Sequence, residues 1–435
     1  MTAYKNSVGV LVPKIMLPRA GVDMQKWAVV ACDQYTGQPE YWQAARQFIG
    51  DAPSTLDLFL PEAFLGREGE DERIASIRQN MLRFCADGIL QTLPQGVILV
   101  KRQVAGNTRF GLVLALDLEE YDYSAGSQTL IRATEGTIAD RIPPRLKIRQ
   151  GATVELPHIL VLIDDPNRTV IEPIAAHTDT LNMLYDTDLM MGGGHITGWQ
   201  VNDETHIHNI LAALTELASP AAFNKKYAGK APLLFAMGDG NHSFATAKAN
   251  WTKIKPTLSD NERESHPARY ALVEVENVHD AGIVFEPIHR ILFNVDPADA
   301  IQKVRVFLAA RNTEAFITDD VRVQDGGHVL PFVSGAGNGA FFVPKPTQQL
   351  PVGTLQTALD AFLAQNPKAE IDYIHGADVV NKLARRVDAL GFILPAMEKD
   401  ALFPTVIYDG ALPRKTFSMG EANEKRYYLE ARSLI

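Results

Sequence analysis

Residues 233–249 read LLFAMGDGNHSFATAKA, an apolar run that enters Gly238-Asp239-Gly240-Asn241-His242-Ser243 and continues with helical composition. The pattern predicts a strand, a glycine-flanked turn and a helix. Gly238 and Gly240 permit backbone angles and close approaches that other residues resist. A helix start presents unpaired N–H groups and the positive end of its dipole, which together can hold a phosphate. His242 adds a donor or proton carrier. Asp239 can orient a hydroxyl, ligate Mg²⁺ or act as a base. The competing reading is an ordinary strand-to-helix turn in which Asn241 or Ser243 only caps the helix.

Working outward, 268–278 and 283–293 have strand composition, as do 158–165 and TVIEPI at 169–174. VILVKRQ (97–103), the turn Ala105-Gly106-Asn107 and RFGLVLALDL (109–118) form a hairpin signal. Helical spacing predicts helices at 39–49, 72–86, 203–218, 243–254, 297–311, 353–364 and 377–390. Met191-Gly192-Gly193-Gly194-His195 is expected to be a mobile loop, and Ser334–Gly339 a hairpin turn rather than a dinucleotide loop, because no helix follows it. The fold class is α+β, with mixed sheets. The expected division is an N-terminal α/β domain at 1–127, a core carrying the GDGNHS turn at 128–296, and a C-terminal α/β domain at 297–435.

The 435 residues carry a formal net charge of −10 and are 46% hydrophobic and 22% charged. Such a mixture excludes a disordered chain, and the acidic balance argues against broad binding to nucleic acid or anionic membrane. Only two cysteines occur, Cys32 and Cys85, so a disulfide framework and a Cys-rich zinc site are not expected. The opening stretch MTAYKNSVGVLVPKIMLPRAG is broken by Pro13, Lys14 and Pro18, unlike a signal peptide. A cytoplasmic protein is expected. A homo-oligomer stays open.

A second candidate segment is Arg132-Ala133-Thr134-Glu135-Gly136-Thr137, continuing through Arg141 to Pro143-Pro144-Arg145. Guanidinium forks suit phosphate and carboxylate recognition, and Glu135 between two threonines can serve as a general base. The bland alternative is an exposed helix face with internal ion pairs. His289-Arg290, ending a strand-like run, can bind an anion or be structural. The motifs GxxxxGK[ST], HExxH and GxSxG are missing, and His206 and His208 are poorly spaced for one helical face.

In order along the chain, WAVVACDQY (27–35), the 132–145 box, LFAMGDGNHSFATA (234–247), EPIHRIL (286–292) and PRKTF (413–417) together resemble the bacterial domain-of-unknown-function family 1015. By analogy that family resembles the ParB/sulfiredoxin-like superfamily, which includes nucleotide-dependent kinases acting on free serine. The resemblance implies a ParB/sulfiredoxin-like core flanked by α/β segments. It also implies a site for a phosphorylated small molecule, with Mg²⁺ and ADP or ATP. Asp239, Gly240 and His242 match the family box directly. Asn241 stands where its first His would be and Ser243 where its Arg would be, which removes a positive charge. The implied activity is phosphoryl transfer to a small hydroxylated metabolite such as serine. Asp239, His242 and Glu135 would be catalytic, Asp239 also the metal ligand. Arg132, Thr134, Arg141, Arg145, Gly238, Gly240, Asn241, Ser243, His289 and Arg290 would bind substrate or phosphate. A sensor without turnover, or a phosphatase using the same pocket, are the alternatives.

Overall fold

The computed structural model describes residues 8–124, 126–311, 315–318 and 326–435. Residues 1–7 of the opening stretch lie outside that description. Contacts group the chain into two compact units: residues up to Ile283 with Gly420–Ile435, and Val284–Met419. A cut near 127 would separate strands that pair in one sheet, since Gly111–Asp117 lie against Tyr270–Glu276.

The first unit is built on a nine-stranded mixed sheet. Its elements in chain order are β1 (Val10–Leu11), α1 (Pro39–Ile49), α2 (Glu70–Ala86), β2 (Val97–Val104), β3 (Asn107–Asp117), β4 (Ile131–Arg132), α3 (Ile142–Arg149), β5 (Leu160–Ile163), β6 (Asn182–Asp188), β7 (His195–Val201), α4 (Glu204–Leu217), β8 (Phe235–Asp239), α5 (Asn241–Ile254) and β9 (Tyr270–Asn277). Strand order is β6-β7-β2-β3-β9-β5-β8-β4, with β1 also on β3. The β2–β3 hairpin closes through Ala105 (φ 51°) and Gly106 (φ 81°), since Val104 pairs with Asn107. Two left-handed residues in a two-residue loop match the twist of paired strands.

Both faces of the sheet are covered, which explains why β9 is buried throughout and β3 from Gly111 onward. Alternation sends Leu112, Leu114, Leu116, Val273 and Val275 to one face, against Ile207, Ile210 and Leu214 of α4 and Phe244 and Trp251 of α5. Val113, Ala115 and Leu272 face the other way, against Trp42, Ala45 and Ile49 of α1 and the Tyr427-Tyr428-Leu429 run of the C-terminal segment.

One local expectation is corrected. TVIEPI is not a strand: Asp165 accepts from the Thr169 and Val170 amides at 2.6 and 2.9 Å, and Glu172–Ala175 is a helical turn. Pro173 cannot donate to a ladder but suits a first helical turn. Met191–Gly194 is the turn of the β6–β7 hairpin, where the Leu189 amide bonds Gly194 O at 2.7 Å. A Cβ on Gly194 would lie 2.2 Å from Gln103 O, so the turn approaches β2 closely there.

The second unit contains β10 (Phe285–Phe293), α6 (Pro297–Arg311), β11 (Phe316–Thr318), β12 (His328–Ser334), β13 (Gly337–Val343), α7 (Pro351–Gln365), β14 (Glu370–His375), α8 (Ala377–Leu383), β15 (Ala389–Phe392) and β16 (Phe417–Met419). Its sheet runs β11-β13-β12-β15-β10-β14, with β16 on β10. Ser334–Gly339 is the expected hairpin turn. The helix expected over 377–390 stops at Leu383, because Ala389, Leu390 and Phe392 are buried as a strand beside β10. No described helix is long and apolar enough to cross a membrane.

Candidate functional site

β8 delivers the turn. Its ladder with β5 pairs Met237 with Val161 and Asp239 with Leu160, so Gly238 is the extra residue of a bulge. Such bulges bend a strand and re-aim the side chain that follows, here Asp239. Gly240 is left-handed (φ 77°) and precedes the first turn of α5. A Cβ there would sit 3.0 Å from Ile159 Cα. Both constraints demand glycine. Gly240→Ala is expected to destabilise the protein by about 1–3 kcal/mol, read as a lower denaturant midpoint at unchanged slope.

Asp239 is half-buried. Its Oδ1 accepts from the Gly240 amide at 2.8 Å, and its Oδ2 lies 3.1 Å from Lys425 Nζ. Burial opposes its charge, but Lys425, the Gly240 amide and His158 offset that and hold the carboxyl below its ordinary value. The α5 ladder begins with the Phe244 amide on Gly240 O at 3.0 Å. The amides of Asn241, His242 and Ser243 have no partner among the described residues. Asn241 Oδ1 is likewise buried without one.

The 132–145 box meets this turn. β4 runs parallel to β8, pairing Ile131 with Phe235. The Thr134 hydroxyl donates to Met237 O at 2.6 Å, and the next residue, Glu135, is half-buried. The Ile138 amide donates to His242 Nε2 at 3.4 Å, leaving Nδ1 as the donor side of that ring. Burial, then the charges of Arg145 and Arg141, push the His242 pKa down to about 4 against the pull of Asp33. His242 is therefore neutral near pH 7. Arg145 pairs with Glu62 at 2.5 Å and bonds Arg141 O at 2.7 Å. Arg141 is exposed.

Two predicted guanidiniums are spent elsewhere. Arg132 is buried, its Nε on Thr129 O at 2.9 Å and its Nη2 on the Ala231 and Pro232 carbonyls at 2.9 and 3.1 Å. Arg290 belongs to the second unit and is fully buried there. It bonds Gln356 at 3.2 Å and the Lys415 and Arg414 carbonyls at 2.8 and 3.0 Å, and it stacks on Tyr373. His289 Nδ1 accepts from the Leu394 amide at 3.1 Å. These three residues hold backbone in place.

Four site residues escape the sequence reading: Asp33, His158, Lys425 and Tyr428. His158 lies just ahead of β5, with Nε2 2.9 Å from Ser243 Oγ, Nδ1 2.7 Å from the Tyr428 hydroxyl and Asp33 Oδ2 3.9 Å from Nε2. Their only signal is an ionisable or phenolic side chain bordering an apolar run, in ACDQ, PHILV and KRYYL. Lys425 brings an ammonium to the turn, beside Asp239.

The family described as Protein of unknown function (DUF1015) matches residues 16–362, and the chain belongs to it. A search of curated proteins finds no match. Among solved structures, a conserved hypothetical protein from Pyrococcus furiosus is similar over 73% of this chain and 90% of its own, at 10% identity and TM-score 0.35. A free serine kinase in complex with AMP is similar over 73% and 87%, at 10% identity and TM-score 0.37. SbnI from Staphylococcus aureus, truncated at its C-terminus, matches over 70% and 81%, at 8% identity and TM-score 0.35.

Proposed function

We propose that the turn at 238–243 binds the phosphate oxygens of an adenine nucleotide, ADP or ATP, and that the site transfers a phosphoryl group to a small hydroxylated metabolite such as serine. The observation that carries this reading is the row of unpartnered amides at 241–243 beside Lys425, itself anchored on Asp239. Amides at a helix start and an ammonium are complementary to phosphate, and positioning with charge stabilisation is most of what phosphoryl transfer requires. His242 donates from Nδ1, and Arg141 faces developing charge from the rim. A ParB/sulfiredoxin-like core in the first unit belongs to the same reading. So does a cytoplasmic setting, in which the free thiols Cys32 and Cys85 remain reduced.

The donor set bears on magnesium. Among the described residues no cluster of three metal-ligating groups exists, and both oxygens of Asp239 already accept from protein donors. Asp239 is therefore at most a single protein ligand for an ion carried in on phosphate oxygens and water, a common mode for Mg²⁺. When bound, the ion would neutralise charge between phosphates. Asp239 itself orients Lys425.

In this reading Glu135 or Asp33 takes the acceptor's proton. Calorimetric titration with ADP, ATP and phosphoserine, with Mg²⁺ present, tests the site. Binding of none of them sinks the reading. If ATP binds, Glu135→Gln and Asp33→Asn assign the base: the variant that keeps affinity but loses transfer to serine has removed it.

A further inference from the structure

On the inner side of the same helix start, Ser243 and His158 line a cavity of about 130 Å³. Its other walls include Leu58, Phe59, Leu65, Met81 and Ile148. The charged side chains in the wall are neutralised in pairs, Arg145 with Glu62 and Arg149 with Glu155, each at 2.5 Å. The cavity therefore offers mostly apolar surface, with the Ser243, Thr246 and Tyr428 hydroxyls, the Cys32 thiol and the His158 imidazole as its uncharged polar groups. That suits a short uncharged chain and not a phosphate.

The hydrogen bonds around His158 accommodate a tautomer that leaves Nε2 bare. Tyr428 and the Cys32 thiol are hydrogen-bonded, and burial pushes both above their ordinary values, so both keep their protons. The Tyr428 oxygen also accepts from the Cys32 amide at 3.3 Å. In the tautomer that carries its proton on Nδ1, His158 donates to the Tyr428 oxygen over 2.7 Å. Nε2 is then bare and faces Ser243 Oγ at 2.9 Å. His158 is only 6% exposed, so this orientation is held by protein and not by solvent.

We propose that Ser243 is a nucleophile and His158 its general base, for cleavage of a short-chain carboxylic ester whose acyl group occupies this cavity. Ser243 Oγ attacks the carbonyl carbon as its proton passes to Nε2. The tetrahedral oxyanion is held by the unpartnered amides at the start of α5, and Asp33 offsets the imidazolium charge. The ester C–O bond breaks, and the alkoxide leaves with the proton from His158. Water then attacks the acyl-serine, giving a proton to His158. The Oγ–C bond breaks, Oγ regains that proton, and the carboxylic acid departs. Tyr428 is a positioning residue that fixes the tautomer. The inference does not rest on nucleotide binding.

The full chain is treated with a fluorophosphonate probe and, separately, with p-nitrophenyl esters of increasing acyl length. One adduct on Ser243 is expected by peptide mass mapping, lost in Ser243→Ala. Labelling should slow about 100-fold or more in His158→Ala, with partial rescue by added imidazole, which a structural role would not give. Ester cleavage should fall once the acyl chain outgrows the cavity. Thermal melting establishes that each variant is folded. If His158→Ala does not fold, His158→Gln carries the same test. The proposal is overturned by folded protein that takes no adduct or takes it elsewhere. It is equally overturned by labelling indifferent to His158, or by Ser243-dependent cleavage of p-nitrophenyl phosphate in place of the esters.

Discussion

Lys425→Ala is expected to weaken ADP binding about 100-fold while leaving the affinity for adenosine unchanged. The ammonium is 12% exposed and lies 3.1 Å from Asp239. A hydrogen bond to a charged group contributes about 1.5–3 kcal/mol, or about 10- to 150-fold in affinity. Two changes act together here. The phosphate loses its ammonium, and Asp239 loses the first of the influences that keep its carboxyl ionised against burial. An uncompensated carboxylate beside the amides at 241–243 repels the same phosphate. Lys425→Arg keeps the charge and should retain most of the affinity. Asp239→Asn separates the two effects. If the carboxylate only anchors Lys425, this variant keeps ADP affinity within about tenfold. If ADP binding by the parent needs Mg²⁺ on Asp239, the affinity collapses as it does in Lys425→Ala. Calorimetry with ADP and adenosine, at two salt concentrations, reads all of this. Equal ADP affinity in Lys425→Ala and parent would remove the ammonium from the site.

The pattern of what could be read in the chain follows from the range over which each feature is determined. The strand, turn and helix at 233–254 are specified locally by apolar runs and two glycines, and they appear as expected. The hairpin at 104–107 and the bounds of α1 are local in the same sense. TVIEPI differs because Pro173, and not the apolar spacing, decides its backbone. Arg132 and Arg290 differ for another reason. A guanidinium that clasps carbonyls and one that clasps phosphate use the same five donors, so sequence does not distinguish them. Lys425 and Tyr428 were out of reach because their meaning depends on where the last segment of the chain packs. That packing combines the apolar contacts of Tyr427–Leu429 with buried charges, which no periodicity announces.

The largest stability effect should come from one of those charges. Arg426 is 3% exposed, with Nε 2.8 Å from Glu274 Oε2 on β9 and Nη2 2.6 Å from Glu430 Oε2. Glu430 also accepts from the Tyr185 hydroxyl of β6. Burial works against the Arg426 charge, but Glu274 and Glu430 offset it and raise its pKa further. Removing one member of such a group leaves the others as uncompensated buried charges, at about 3–5 kcal/mol. Arg426→Met is therefore expected to lower the unfolding free energy by about that amount, read from denaturant melts. Arg426→Met combined with Glu274→Gln and Glu430→Gln should recover most of the loss, since no bare charge then remains and the three sites are in contact. Arg426 is flanked by Lys425, which faces Asp239, and is followed at 428 by the tyrosine that faces His158. The single variant should thus lose ADP affinity along with stability, and the triple variant should regain both. Recovery of stability without affinity would mean that the charges themselves, and not the packing they enforce, aim Lys425 at the turn. A change below about 1 kcal/mol in the single variant would show that water or a shifted carboxyl proton replaces Arg426.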